Sequence, residues 1–276
     1  MRFLRIITPI LAVIIAIVAI NLEIGNYERR VGPVIEMRDS SIETIEATID
    51  TTDEELASLA KAYDDKDGDI SKNIVVEHKN YFFEKGLSTI TFSVCDSDNN
   101  VSKISKNIRY TDYTSPKIEV YSSLIYTVDS SERISNYFKV TDVFDGDISS
   151  RLKIIATDFN RNIPGEYFVN CKVTNSFGDT QEMAFPILIE TQTKLNAKIY
   201  LNQHYVYLKQ GQTHDFQQYI DTVENEIGYN YTTKDIRIND EKFDNTKPGV
   251  YPIDFTITSG GKKVARTRMF AIIEEE

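Results

Sequence analysis

Asp64, Asp65, Asp67 and Asp69 place four carboxylates within six residues, and Asp142, Asp145 and Asp147 place three within another six. Carboxylates this close repel one another unless water screens them or a cation sits among them. Ca²⁺ takes six to eight oxygens, so each loop offers a partial calcium site, with Asp64, Asp67, Asp69, Asp142, Asp145 and Asp147 as candidate ligands. The spacing is not that of an EF-hand. With Gly68 as loop position six, positions one and twelve fall on Tyr63 and Ile74, which cannot ligate as that loop requires. The same residues also read as a tight turn, in which Gly68 and Gly146 supply positive φ and the aspartates accept backbone N–H bonds. The sequence admits both readings, and Asp112 adds a candidate for an ion at a module junction.

Little else in the chain points to chemistry. It carries no glycine-rich phosphate loop, no His-Glu-x-x-His helix and no Gly-x-Ser-x-Gly elbow, so no catalytic residue and no enzyme activity is assigned. The 31 Lys+Arg against 42 Asp+Glu give a net charge of −11, which argues against a nucleic-acid partner. Cys95 and Cys171 fall in different repeats, the first near a strand end and pointing outward, the second at a core position. Tyr205 and Tyr207 share strand parity and, with Tyr200, read either as a sugar- or peptide-contacting strip or as ordinary core and surface tyrosines.

The elements that carry the acidic turns repeat. Asp64 to Ser71 recurs as Asp142 to Ser149, and the strand-like run Gly86–Val94 recurs as Gly165–Val173 and Gly249–Ile257. Alternation puts Ile90, Phe92 and Val94 on one strand face, likewise Tyr167, Val169, Cys171 and Val173, and likewise Tyr251, Ile253, Phe255 and Ile257, with water on the other face. Thr52-Asp53-Glu54-Glu55 is a capping-box pattern ahead of Leu56, Leu59 and Ala60. Ile134, Tyr137 and Phe138, then Phe216, Tyr219 and Ile220, stand at equivalent places. A repeat of about 82 residues suits one small all-β domain each.

In these features the chain resembles the tandem bacterial immunoglobulin-like domains of surface proteins, a type also found in a pesticidal crystal protein family. Asp64, Asp67, Gly68, Asp69 and Ile70 match their Asp-x-x-Asp-Gly-Asp-Ile element, as do Asp142, Asp145, Gly146, Asp147 and Ile148. Pro164-Gly165-Glu166-Tyr167 matches their Pro-Gly-x-Tyr strand, and Asp112-Tyr113-Thr114-Ser115-Pro116 their linker. The resemblance implies β-sandwich modules displayed outside the cell as spacers or adhesion elements. The first repeat departs from it with Lys85-Gly86-Leu87. The third lacks Asp-Gly-Asp-Ile, with Glu224 near the place of Asp142 and 225–235 resembling an insertion.

Ahead of the repeats, Ile6 to Leu22 carries no charge, long enough for a membrane-spanning helix. A cleaved signal peptide is the competing reading, but the small-x-small cleavage sites near Ala19 and Gly25 are poor. Arg2 and Arg5 favour an N-terminus inside and the body outside. Residues 1–30 then carry a net +2 and the remainder −13. The expected fold is therefore all-β, with tandem immunoglobulin-like β-sandwiches after one N-terminal transmembrane helix. The expected domains are 1–31 as stub, anchor and linker, 32–112, 113–192, and a divergent 193–276. The expected role is a membrane-anchored, non-catalytic structural or adhesion protein with an extracellular protein or polysaccharide as partner. The alternatives are ligand binding by the third domain or an array stiffened by calcium.

Overall fold

The computed structural model describes residues 13–21, 32–128, 130–156, 160–191 and 194–274. Residues 13–21 are helical, with exposed side chains. Among the described residues no helix is long and apolar enough to cross a membrane. Residues 6–12 and 22 of the expected span lie outside the described set.

The regular structure beyond is mainly strand, arranged three times to one plan. The first module pairs β1 (Val34–Met37), β3 (Ala60–Asp64) and β4 (Gly68–Asp69) in one sheet. Its second sheet has the order β2 (Thr44–Ala47), β7 (Val101–Tyr110), β6 (Leu87–Cys95), β5 (Val75–Lys79). β2 runs parallel to β7, and the other pairs are antiparallel. The alternation predicted for β6 holds, because Ile90, Phe92 and Val94 are buried between the sheets while Thr91 and Ser93 are only partly buried. The short helix α1 (Asp53–Ala57) starts at Thr52 with a complete capping box to Glu55 and buries Leu56. It is shorter than the sequence pattern implied, since Ala60 already opens β3.

The second module repeats this order with β8 (Lys117–Val120), β9 (Ile125–Thr127), β10 (Phe138–Asp142), β11 (Gly146–Asp147), β12 (Lys153–Ala156), β13 (Gly165–Thr174) and β14 (Thr180–Glu190). Its sheets are β11-β10-β8 and β12-β13-β14-β9. The third has β15 (Ala197–Leu201), β16 (Tyr205–Leu208), β17 (Ile220–Asn225), β18 (Arg237–Asn239), β19 (Gly249–Ser259) and β20 (Lys262–Ile273). Its sheets are β15-β17 and β16-β20-β19-β18. The apolar triplets begin in 3-10 turns, Ile134–Tyr137 and Phe216–Tyr219, which bury Ile134 and Phe216, and their last members Phe138 and Ile220 open β10 and β17.

The Pro-Gly-x-Tyr motif has a direct steric cause. The tyrosine two residues on folds its ring over the glycine, so that a Cβ on Gly165 or Gly249 would stand 3.4 or 3.5 Å from it. The hydroxyl then donates back four residues, Tyr167 to the Ile163 carbonyl at 2.9 Å and Tyr251 to the Lys247 carbonyl at 3.0 Å. The first module has Ser88 at the tyrosine position, its hydroxyl donating to the Asn80 carbonyl at 2.5 Å, and so lacks this clasp.

By compactness the chain divides at Tyr113/Thr114. The first module belongs to one unit, and the second and third modules together form the other. Within that second unit the outer face of the β16-β20-β19-β18 sheet is not open to water as alternation suggested. Phe270 and Ile272 are fully buried in the core of the second module, with Tyr205, Tyr207 and Val250 packed against it. The opposite-parity residues Met269, Ala271 and Ile273 fill the third module's own core. β20 is thus buried on both faces along Met269–Ile273, a continuous apolar run of the kind a two-sided strand requires.

Candidate functional site

The three aspartates that the two acidic turns share do three different things. Asp64 ends β3, and its Oδ1 accepts the backbone N–H groups of Lys66 and Asp67 at 2.9 and 3.0 Å. Asp142 does the same for Phe144 and Asp145, both at 2.9 Å. This closes the turn, and Gly68 and Gly146 complete it at φ of +76° and +69°.

The middle aspartate reaches across to the hairpin turn of the opposite sheet. Asp67 accepts the Ser97 amide at 2.7 Å and its hydroxyl at 2.8 Å, and Asp145 accepts the same pair from Ser176, each at 2.7 Å. The third aspartate holds a serine. Asp69 Oδ1 takes the Ser71 N–H and hydroxyl, and Asp147 Oδ1 those of Ser149. The serine oxygen in turn accepts the Ala62 or Val140 amide, capping an edge of β3 or β10.

These bonds set the electrostatics. The Ser97 amide and hydroxyl hold the Asp67 carboxyl below its ordinary value, and Ser71 and Ser149 do the same for Asp69 and Asp147. At Asp145 burial pushes upward, but Ser176 and Arg151, whose Nη1 lies 2.5 Å away, outweigh it and the net shift is down. Asp244 in the third module is held down to about 2, chiefly by Lys247.

Carboxyls depressed in the folded chain contribute stability that is fully present above the unfolded value of about 4 and is lost as pH falls through the folded values. The melting midpoint is therefore expected to be flat from neutral pH to about pH 5 and to fall progressively below about pH 4. Circular dichroism melts across that range check it.

The partner side of this brace was not visible as a motif. Asp96 and Asn175 occupy equivalent places in the β6–β7 and β13–β14 turns. Asp96 accepts the Asp98 and Asn100 amides at 2.9 and 2.7 Å, and Asn175 accepts those of Phe177 and Asp179, each at 3.0 Å. Asn175 also donates to Asp142 Oδ2 at 3.0 Å, both side chains being buried. The pairs Asp96-Ser97 and Asn175-Ser176 recur at the repeat offset, and that is the signal that could have found them.

The third module has lost both halves together. Strand register puts Asn225, not Glu224, at the place of Asp64, because Lys198 faces Glu224 as Val34 faces Tyr63. Asn225 closes a longer loop through paired bonds to the Tyr231 backbone at 2.8 and 2.9 Å. Its β19–β20 hairpin turns through Gly260 and Gly261, and Gly260 stands at the place of Ser97 and Ser176. A brace that disappears at both ends at once is the pattern expected of one interaction joining two sheets.

The structure thus brings Asp64, Asp67 and Asp69 into one turn, and Asp142, Asp145 and Asp147 into another, but aims each carboxylate at its own N–H and O–H donors. Among the described residues no group of three or more His, Cys, Asp or Glu is placed to hold a metal ion. Asp112 accepts the Ile49 amide at 2.9 Å within the first unit. With each of the six carboxylates holding at least two protein donors, the melting midpoint of a 32–276 fragment is expected to be the same in Ca²⁺ and in chelator. A rise with Ca²⁺ would show an ion displacing the donors.

The tyrosines also fall into place. Tyr205 and Tyr207 face the same way, but toward the second module rather than solvent. Tyr207 Oη accepts the Ile118 amide and donates to the Ile118 carbonyl, both at 2.9 Å, and so occupies the free edge of β8. Tyr205 meets Tyr121 edge-on with centroids 6.2 Å apart. Tyr200 lies apart, bonded to Glu224 at 2.5 Å. Cys95 is exposed and Cys171 buried, neither in a disulfide, and burial pushes the Cys171 thiol up to about 12.

Paired sheets with braced turns define an all-β protein built of successive β-sandwiches. No family profile matches the chain. It is similar to the pesticidal crystal protein Cry22Aa of Bacillus thuringiensis, 26% identical over 245 residues that cover 85% of this chain and 32% of that protein. The chain thus spans about a third of the length of that curated relative. Among solved structures, one holding CBM51-2 in complex with GlcNAc and INT domains from Clostridium perfringens ZmpB is 18% identical. It covers 55% of this chain and 26% of that one, with a TM-score of 0.23. The protocadherin gammaB4 extracellular domain is 11% identical, covering 89% and 49%, with a TM-score of 0.20.

Proposed function

We propose that this chain is a non-catalytic extracytoplasmic protein that projects immunoglobulin-like β-sandwich modules from a cell surface, anchored in the membrane through residues 6–22, and serves as a structural or adhesive element. The observation that carries this reading is where the polar chemistry goes. The six turn aspartates and the Tyr207 hydroxyl are spent on bracing a module or joining two modules. The resemblance to tandem surface domains, and the apolar run ahead of the repeats, point the same way. In cells expressing the full chain with a C-terminal tag, external protease should remove the tag without lysis, and the chain should stay with membranes in carbonate. Protection of the tag in intact cells would refute the topology.

A second reading has its own observation. The loop after β17 presents Ile227 fully exposed at its tip and Tyr229 about two-fifths exposed, stacked on Tyr231 at 5.9 Å. Asn225 ties the base of that loop, so the apolar tip is held out from the third module. This suits contact with an extracellular protein or sugar. Adhesion or glycan binding that is lost with Ile227→Asp plus Tyr229→Ser, the fold being retained, would support it.

A further inference from the structure

The joint between the second and third modules has two parts of different chemistry. One is apolar, with Phe270, Ile272, Tyr205, Tyr207 and Val250 against the second module's core. The other is charged and lies along the same outer face of β19 and β20. Arg268 is 2% exposed. Its Nε and Nη2 reach Asp254 on the neighbouring strand at 2.6 and 3.1 Å, and Nη2 also stands 3.5 Å from Glu166 of the second module. Lys242 meets the same Glu166 at 2.6 Å, and Arg266 pairs with Glu190 across the joint. Three cations face three carboxylates, and four of these six groups reach the joint from the third module's side as cations or as the carboxylate that steadies one.

A buried guanidinium is a costly way to glue two surfaces. Its desolvation commonly equals or exceeds the attraction it gains, and an apolar residue of similar volume is often as stabilising. Arg268 Nη1 is buried and has no hydrogen-bond acceptor among the described residues, which adds to that cost. Apolar contact, by contrast, is non-directional and tolerates sliding. What the charged part supplies is direction: Asp254 holds the guanidinium fork, and the fork's Nη2 then faces one Glu166 oxygen across the joint at 3.5 Å.

We propose that Arg268 is a positioning residue: the apolar half of the joint supplies its strength, and the Asp254–Arg268–Glu166 bridge fixes the single orientation in which the third module sits on the second.

The test separates strength from orientation in the full chain. Spin labels at Lys139→Cys and Asp240→Cys, both exposed positions, with Cys95→Ser to remove the exposed native thiol, report the distance between the modules. The parent should give one narrow distance distribution. Arg268→Met should broaden it about twofold or more while leaving the melting midpoint unchanged or higher. Glu166→Gln removes only the anion across the joint, at a partly exposed site, and should also broaden the distribution, with a lower midpoint because Arg268 keeps less compensation. Distributions as narrow as the parent's in both variants would overturn the proposal. So would a broad distribution in the parent, or a lowered midpoint with unchanged width in Arg268→Met, which would make the arginine a plain stabiliser.

Discussion

Asp142→Ala is expected to lower the stability of the second module by about 2–4 kcal/mol, far more than an ordinary turn substitution. Three donors depend on this carboxylate: the amides of Phe144 and Asp145 on one oxygen and the Asn175 amide group on the other. Asp142 and Asn175 are both buried, so the Asn175 amide group left behind has no ready access to water, and the two turn amides are part-buried. Hydrogen bonds to a charged acceptor contribute about 1.5–3 kcal/mol each, and losses within one network do not add fully. Asp142→Asn retains an oxygen for the turn amides but sets two amide groups against each other at Asn175, and should cost less than the alanine variant. Hydrogen exchange of the β13 and β14 amides reads the local stability directly. A loss below about 1 kcal/mol for Asp142→Ala would mean that the turn does not brace the sheets.

Much of the module plan was legible because strand parity and turn chemistry are local. The alternation of Ile90, Phe92 and Val94 and the repeat of Asp64–Ser71 at Asp142–Ser149 each needed only neighbouring residues, and the structure follows them. The use of the acidic residues was less legible, because their partners Ser97 and Ser176 lie about 30 residues away on another sheet. A carboxylate cluster in sequence suggests shared occupancy by a cation, whereas in space each carboxylate is drawn to a separate donor pair. The second buried face of β20 was missed for a related reason. Parity assigns one face to the module's own core and says nothing of what covers the other. The clue was local after all, since Met269-Phe270-Ala271-Ile272-Ile273 does not alternate.

That unbroken run carries the second large expectation. Phe270→Ala should cost about 3–5 kcal/mol, the range for emptying a fully buried phenylalanine site. The informative part is where the loss falls. Phe270 points away from the third module's core and stands 5.7 Å, edge to face, from Phe185, itself fully buried in the second module. Phe255, by contrast, lies wholly within the third module's core. Phe255→Ala should therefore weaken exchange protection in the third module first. Phe270→Ala should weaken it in β14 and β20 together and convert one unfolding transition of residues 114–276 into two. If Phe270→Ala instead behaved like Phe255→Ala, with β14 unaffected, the two modules would not share a core in solution. The apolar half of the joint would then be too weak to hold any orientation that Arg268 could set.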